Sequence, residues 1–126
     1  MSTPSLSAPA PGTSSLGTQA RLWYLQRVSA MVLALCVVIH LAGILWAVRG
    51  GLTGAEILAR TQGNWAFAIF YAVFVVASAV HVPVGLARIA EEWWGWSGAA
   101  AMRFAWVVAA AIALLGLRAV YAVSAA

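Results

Sequence analysis

The chain has no lysine, and only 8% of its 126 residues are charged. Arg21, Arg27, Arg49, Arg60, Arg88, Arg103 and Arg118 supply every positive charge. Glu56, Glu91 and Glu92 supply every negative one, for a net charge of +4. A nucleic-acid surface needs a clustered basic patch, and arginines spread this evenly exclude one. The single cysteine, Cys36, cannot close an internal disulfide and says nothing of compartment. The glutamates fall in loops or at helix ends, where they do not serve a transporter or channel pathway through the bilayer. Residues 1–20 lack a charged start and an apolar centre, so no cleavable signal is expected there. There is no internal repeat and no hairpin signal, and the dimensions exclude a lipid-spanning β-barrel.

Apolar residues are what the chain has in abundance. They make up 64% of it, and the mean hydropathy is +0.94. A spanning helix needs about 20 mostly apolar residues, and the runs 28–48, 65–89 and 104–123 each qualify. The expected fold is an all-α membrane protein with three transmembrane helices, at about 22–48, 65–92 and 102–123. Residues 1–20, rich in Pro, Ser, Thr, Gly and Ala, read as a flexible tail, and 21–126 as the three-helix domain. Three helices bury little surface among themselves, so a larger bundle completed by a sister subunit is expected.

The punctuation fits that plan. Gly50-Gly51 ends the first helix. Thr53 with Glu56 three residues on predicts a capping box opening a short interfacial helix. Pro83 lies inside the second long helix, where it removes a backbone donor and favours a bend. Trp93, Trp94 and Trp96 mark a membrane–water interface, and Ser97-Gly98 turns into the last helix. That helix is rich in alanine and has no histidine. Its small residues allow close approach, which is the pattern of a packing helix.

Two histidines stand inside apolar runs, His40 in the first and His81 in the second. An ionisable side chain in a span is costly and calls for a task or a partner. Imidazole is also a standard axial ligand of haem iron. At about 100° per residue, Gly85 and Arg88 share the His81 stripe. Gly85 would leave a flat landing for a porphyrin, and Arg88 could meet a propionate with paired hydrogen bonds. The competing reading is a histidine bonded to a neighbouring helix, a packing glycine and a snorkelling arginine. His40 shares its stripe with Ser29, Leu33, Cys36, Gly43 and Ala47, and no arginine lies at propionate distance along it.

Depth separates the two rings. Counted from the surface where the first helix begins and the second ends, His40 lies roughly 22 Å deep and His81 roughly 13 Å. A difference of nearly two turns predicts that they do not ligate the same iron. If both bind haem, there are two haems, each needing a second ligand from another chain.

The run Leu25-Gln26-Arg27-Val28-Ser29-Ala30, the later His40, and His81-x3-Gly85-x2-Arg88 ahead of an acidic pair resemble a known family. It is the three-helix cytochrome b membrane-anchor subunit of succinate dehydrogenase and fumarate reductase. The resemblance covers about half the chain, from the first helix to the end of the second. The family's His-Arg-x-Ser-Gly reads here Gln26-Arg27-Val28-Ser29-Ala30. In the family the arginine, with a serine one turn earlier, lies at the quinone site and near a haem propionate. Arg27 carries over, and Trp23 stands in the serine's place. His81 aligns with the family's haem b ligand. The family's His-x3-Gly-Ile-Arg-His reads here His81-x3-Gly85-Leu86-Ala87-Arg88, so Arg88 falls where the second histidine usually stands. A histidine late in the first helix is typical of members with two haems.

The resemblance implies haem b, two groups favoured and one possible, each iron co-ligated by a second membrane-anchor subunit. It implies a flavoprotein that interconverts succinate and fumarate, and an iron–sulfur protein that carries electrons to membrane quinone. Quinone would bind beside Arg27, with Trp23 and Ser29 as wall residues. Two readings compete: a haem-free structural anchor, and a cytochrome b subunit of another quinone-linked oxidoreductase. Arg21, Arg27, Arg88 and Arg103 share one side, against Arg49, Arg60 and Arg118 on the other. The positive-inside rule therefore favours a cytoplasmic N-terminus, in the inner membrane of a bacterium.

Overall fold

The computed structural model describes residues 16–125. It contains four helices: α1 (Leu16–Arg49), α2 (Gly54–Thr61), α3 (Trp65–Trp94) and α4 (Gly98–Ser124). α1, α3 and α4 are each long and apolar enough to cross a membrane. No strand occurs among the described residues.

α1 starts earlier than expected. Leu16–Ala20, assigned above to the tail, are helical. Gly17 and Thr18 are poor helix formers, but Leu16, Gln19 and Ala20 are good ones, and extending an existing helix adds a bond for each residue fixed. At 34 residues α1 is about 50 Å long, well beyond a hydrocarbon core of about 30 Å. Its first turns therefore project past the lipid. The rest of the expected tail, residues 1–15, lies outside the described residues.

Each corner is closed by the residue chemistry its turn requires. Gly51 sits at φ 66°, and the amides of Gly51 and Leu52 bond back to Val48 O and Ala47 O, both at 3.1 Å. This is a Schellman cap, and its left-handed position explains the second glycine of the pair. Thr53 and Glu56 make the expected capping box on α2, with Thr53 N–H donating to Glu56 Oε2 at 2.7 Å. Asn64 Oδ1 accepts from Ala66 N at the head of α3, and Ser97 Oγ accepts from Ala100 N at the head of α4. Gly63 N–H donates to Ser124 O at 3.0 Å, tying the α2–α3 corner to the end of α4. α3 runs unbroken through the buried Pro83.

The helices form a row with α3 in the middle, packed on one side by α1 and on the other, more extensively, by α4. The α3–α4 seam is alanine: Ala87 and Ala90 against Ala101 and Ala105, with Ala109 also buried further along α4. At Gly116 the approach is close, since a Cβ there would lie 2.7 Å from Val75 Cγ1. Oil outside the bundle is as apolar as oil inside it, so small residues hold the seams while large ones face outward. Leu114, Tyr121 and Val107 accordingly stand on the outer surface of α4. Two aromatic groups mark the interfaces. Trp94, Trp96 and Phe104 cluster at one end, with Trp96 and Phe104 centroids 5.2 Å apart. At the other, Arg60 of α2 covers the Trp46 ring at 5.2 Å.

Candidate functional site

The stripe of α1 that meets α3 runs through Gln26, Ser29, Cys36 and His40. Its small residues form the α1–α3 seam. Ser29 is 6% exposed, and its Oγ lies 3.2 Å from His81 Nδ1. The same Oγ donates to the Gln26 carbonyl at 3.1 Å. Further along the seam, His40 Nδ1 lies 3.3 Å from the Tyr71 hydroxyl. The His40 ring also meets Tyr71 and Phe74 edge to face, at 5.7 and 5.8 Å between centroids. Each imidazole is thus fixed through Nδ1, and neither Nε2 has a hydrogen-bond partner among the described residues. A metal-binding histidine takes this form: one nitrogen oriented by a neighbour, the other free.

These two contacts also level the helices. Ser29 faces His81 and His40 faces Tyr71, so the rings are separated by 10 to 11 residues along either helix. At 1.5 Å per residue that is about 15 Å along the axis. The difference in depth is nearer three turns than the two expected from sequence. α1 and α3 come level at Ser29 and His81, so the surface crossing of α1 lies opposite Gly85 rather than near Ala90. His40 and His81 are not brought together.

The other expected residues divide into two groups. Gly85 faces α1: a Cβ there would lie 3.4 Å from Gln26 Nε2, so the space above it receives the Gln26 amide. The Oε1 of that amide is buried and has no hydrogen-bond partner among the described residues. Arg88 is exposed near the end of α3, two turns from His81 on the same stripe, and makes no ion pair among the described residues. Trp23 and Arg27 lie roughly 120° to 160° around α1 from Ser29, turned away from α3. Both are exposed, and the Arg27 guanidinium sits 5.5 Å from the Trp23 ring centroid. Arg27 and His81 therefore occupy different faces of this chain, while Ser29 is buried at the His81 seam.

Tyr71 and Gln26 are the site residues that sequence reasoning missed. An aromatic facing a histidine across two helices has no signature in spacing along one helix. The half-buried Gln26 had a signal, since it stands where the resembling family has histidine.

His40 borders two hollows. One, of about 510 Å³, is lined by His40, Tyr71, Phe74, Thr61, Gly116 and Val120. The other, of about 300 Å³, includes Gly43, Phe67 and Phe70. No group of three or more potential metal-ligating side chains occurs among the described residues.

Three long apolar helices with imidazoles held inside the seams define an integral membrane protein of the polytopic all-α class. A family model described as succinate dehydrogenase/fumarate reductase transmembrane subunit matches residues 5–117. The chain belongs to that family. Its place is thus that of a membrane subunit of the succinate dehydrogenase or fumarate reductase complex. Neither the curated proteins nor the solved structures gave a match.

Proposed function

We propose that this chain is the haem b-binding anchor of a succinate:quinone oxidoreductase, passing electrons between an iron–sulfur subunit and membrane quinone. The observation that carries this reading is His81, held at Nδ1 by Ser29 with Nε2 left free. The residues fit haem. Two fixed imidazoles about 15 Å apart along the helices suit two haems stacked across the bilayer, and the buried, unpartnered Gln26 Oε1 beside Gly85 suits a polar partner there. His81 would hold one group and His40 the second, each iron completed by a second membrane-anchor subunit. A bound haem supplies one-electron storage within the bilayer.

The chain's own residues do the rest. Ser29 and Tyr71 orient the two imidazoles. Arg88 offers its fork to an anionic propionate at the end of α3. Arg27, stacked on Trp23, presents a fixed cation where quinone would dock, and a positive donor there favours the reduced, more negative oxygen. The flavoprotein of the complex would carry the dicarboxylate chemistry. The N-terminus would be cytoplasmic in a bacterial inner membrane, since four of the seven arginines share that side.

One observation favours a single haem instead. Among the described residues the Tyr71 hydroxyl has no hydrogen-bond partner but His40, so it can donate to Nδ1 as readily as accept from it, and when it donates the imidazole proton stays on Nε2 and blocks a metal there. Haem quantitation with reduced-minus-oxidised spectra decides between the two. His81→Ala in the purified complex should abolish the high-affinity haem signal, and an unchanged spectrum defeats the reading.

A further inference from the structure

The Ser29 hydroxyl carries one proton and makes two contacts. It lies 3.1 Å from the Gln26 carbonyl, which only accepts, and 3.2 Å from His81 Nδ1. If the imidazole proton were on Nε2, Nδ1 would be an acceptor, and the hydroxyl could satisfy only one of the two. With the proton on Nδ1, Ser29 donates to Gln26 and accepts from His81, and both bonds form. The second arrangement also avoids an N–H at Nε2 with no acceptor among the described residues. An orphaned donor in an apolar setting is the costlier defect. We infer that Ser29 is a positioning residue that fixes His81 as the Nδ1–H tautomer and so presents a bare Nε2 lone pair to its ligand.

His40 lacks this device. The Tyr71 hydroxyl has no second partner among the described residues, so it makes one bond with either tautomer. His81 is preset before any ligand arrives, whereas at His40 the ligand itself must select the protonation site. The two histidines therefore differ in readiness as well as in depth.

The inference rests on the haem reading only for what the lone pair meets; the tautomer stands by itself, and the test separates the two. The full chain, labelled with 15N-histidine and placed in lipid bilayers without haem, gives two imidazole signals, assigned by loss of one in His81→Gln. His81 should show a protonated Nδ1 and an unprotonated Nε2. Ser29→Ala should move the population toward Nε2–H, and Ser29→Thr, which keeps the hydroxyl, should restore it. A wild-type His81 protonated on Nε2, or a tautomer indifferent to Ser29→Ala, overturns the inference.

In the assembled complex, an acceptor on Nδ1–H makes the imidazole a stronger donor to iron and favours the ferric state. Ser29→Ala should therefore shift the midpoint potential of the His81 haem upward, and Ser29→Thr should bring it back. An unmoved potential also overturns the inference. A wild-type complex without haem but with the expected tautomer defeats the haem reading and leaves Ser29 its role.

Discussion

His40 and Tyr71 meet across the α1–α3 seam, imidazole Nδ1 to phenol oxygen at 3.3 Å, ten residues along α3 from the contact between Ser29 and His81. The two contacts make a pair of clasps on one seam, and each ends in a histidine. If both serve haem, the sites are separable by mutation. His40→Ala should lower haem from two per complex to one and leave the His81 signal in place. Haem-to-protein stoichiometry reads this directly, and loss of both groups together would speak against independent sites.

Arg27 stands apart from that seam, on the exposed side of α1, over Trp23. Arg27→Ala should impair quinone reduction by about 10- to 100-fold, the range of one charge-assisted hydrogen bond. Haem content and succinate oxidation with a soluble dye should not change. Arg27→Lys should recover only part, because an ammonium lacks the planar fork and stacks less well on indole. A fall in dye-linked activity equal to the fall in quinone activity would remove Arg27 from the quinone site.

The α3–α4 seam tolerates no bulk at Gly116, where even a methyl would press on Val75. Gly116→Leu should cost about 1–3 kcal/mol through overpacking and lower the thermal stability of the complex in detergent. Trimming the neighbour should relieve it, so Gly116→Ala with Val75→Ala should be more stable than Gly116→Ala alone. Equal stabilities would mean that the seam relaxes without needing the space.

The capping box of α2 carries a pH dependence. Thr53 holds the Glu56 carboxyl below its ordinary value of 4.5, chiefly through its backbone N–H and then its hydroxyl, with a smaller pull from Arg60. A depressed carboxyl stabilises the fold above its unfolded pKa, and that contribution is lost as pH falls through the folded value. Acidification below the usual carboxylate range should therefore fray Gly54–Thr61 first, seen as faster amide exchange confined to that helix. Glu56→Gln should exchange faster already at neutral pH and lose the dependence. An α2 that exchanges equally at both pH values refutes the assignment.

Much of this was legible in the sequence. The three spans, the Gly50-Gly51 stop and the Thr53–Glu56 cap follow from local chemistry, and they stand in the structure as expected. The stripe bearing Ser29, Cys36 and His40 was also visible, because helical period alone defines it. What faces that stripe was not. Register between helices depends on how far each one projects, and α1 continues back to Leu16, past the point where hydropathy fades. Hence the depth difference read from sequence is a turn short, and the contact of the Ser29 hydroxyl with His81 is not visible there. Gly85 likewise looked vacant in one dimension, yet the Gln26 amide lies over it.

The linear arrangement of α1, α3 and α4 has a biological cost. A closed triangle would shelter some surface of its own; a row leaves both flanks bare, with large apolar side chains along them. A copy inserted without its neighbours would therefore be a poorly held set of rods, open to proteolytic extraction. Its abundance should follow the supply of those neighbours more closely than its own synthesis. Pulse-chase decay in cells lacking the companion subunits would measure this, and an undiminished half-life would contradict it.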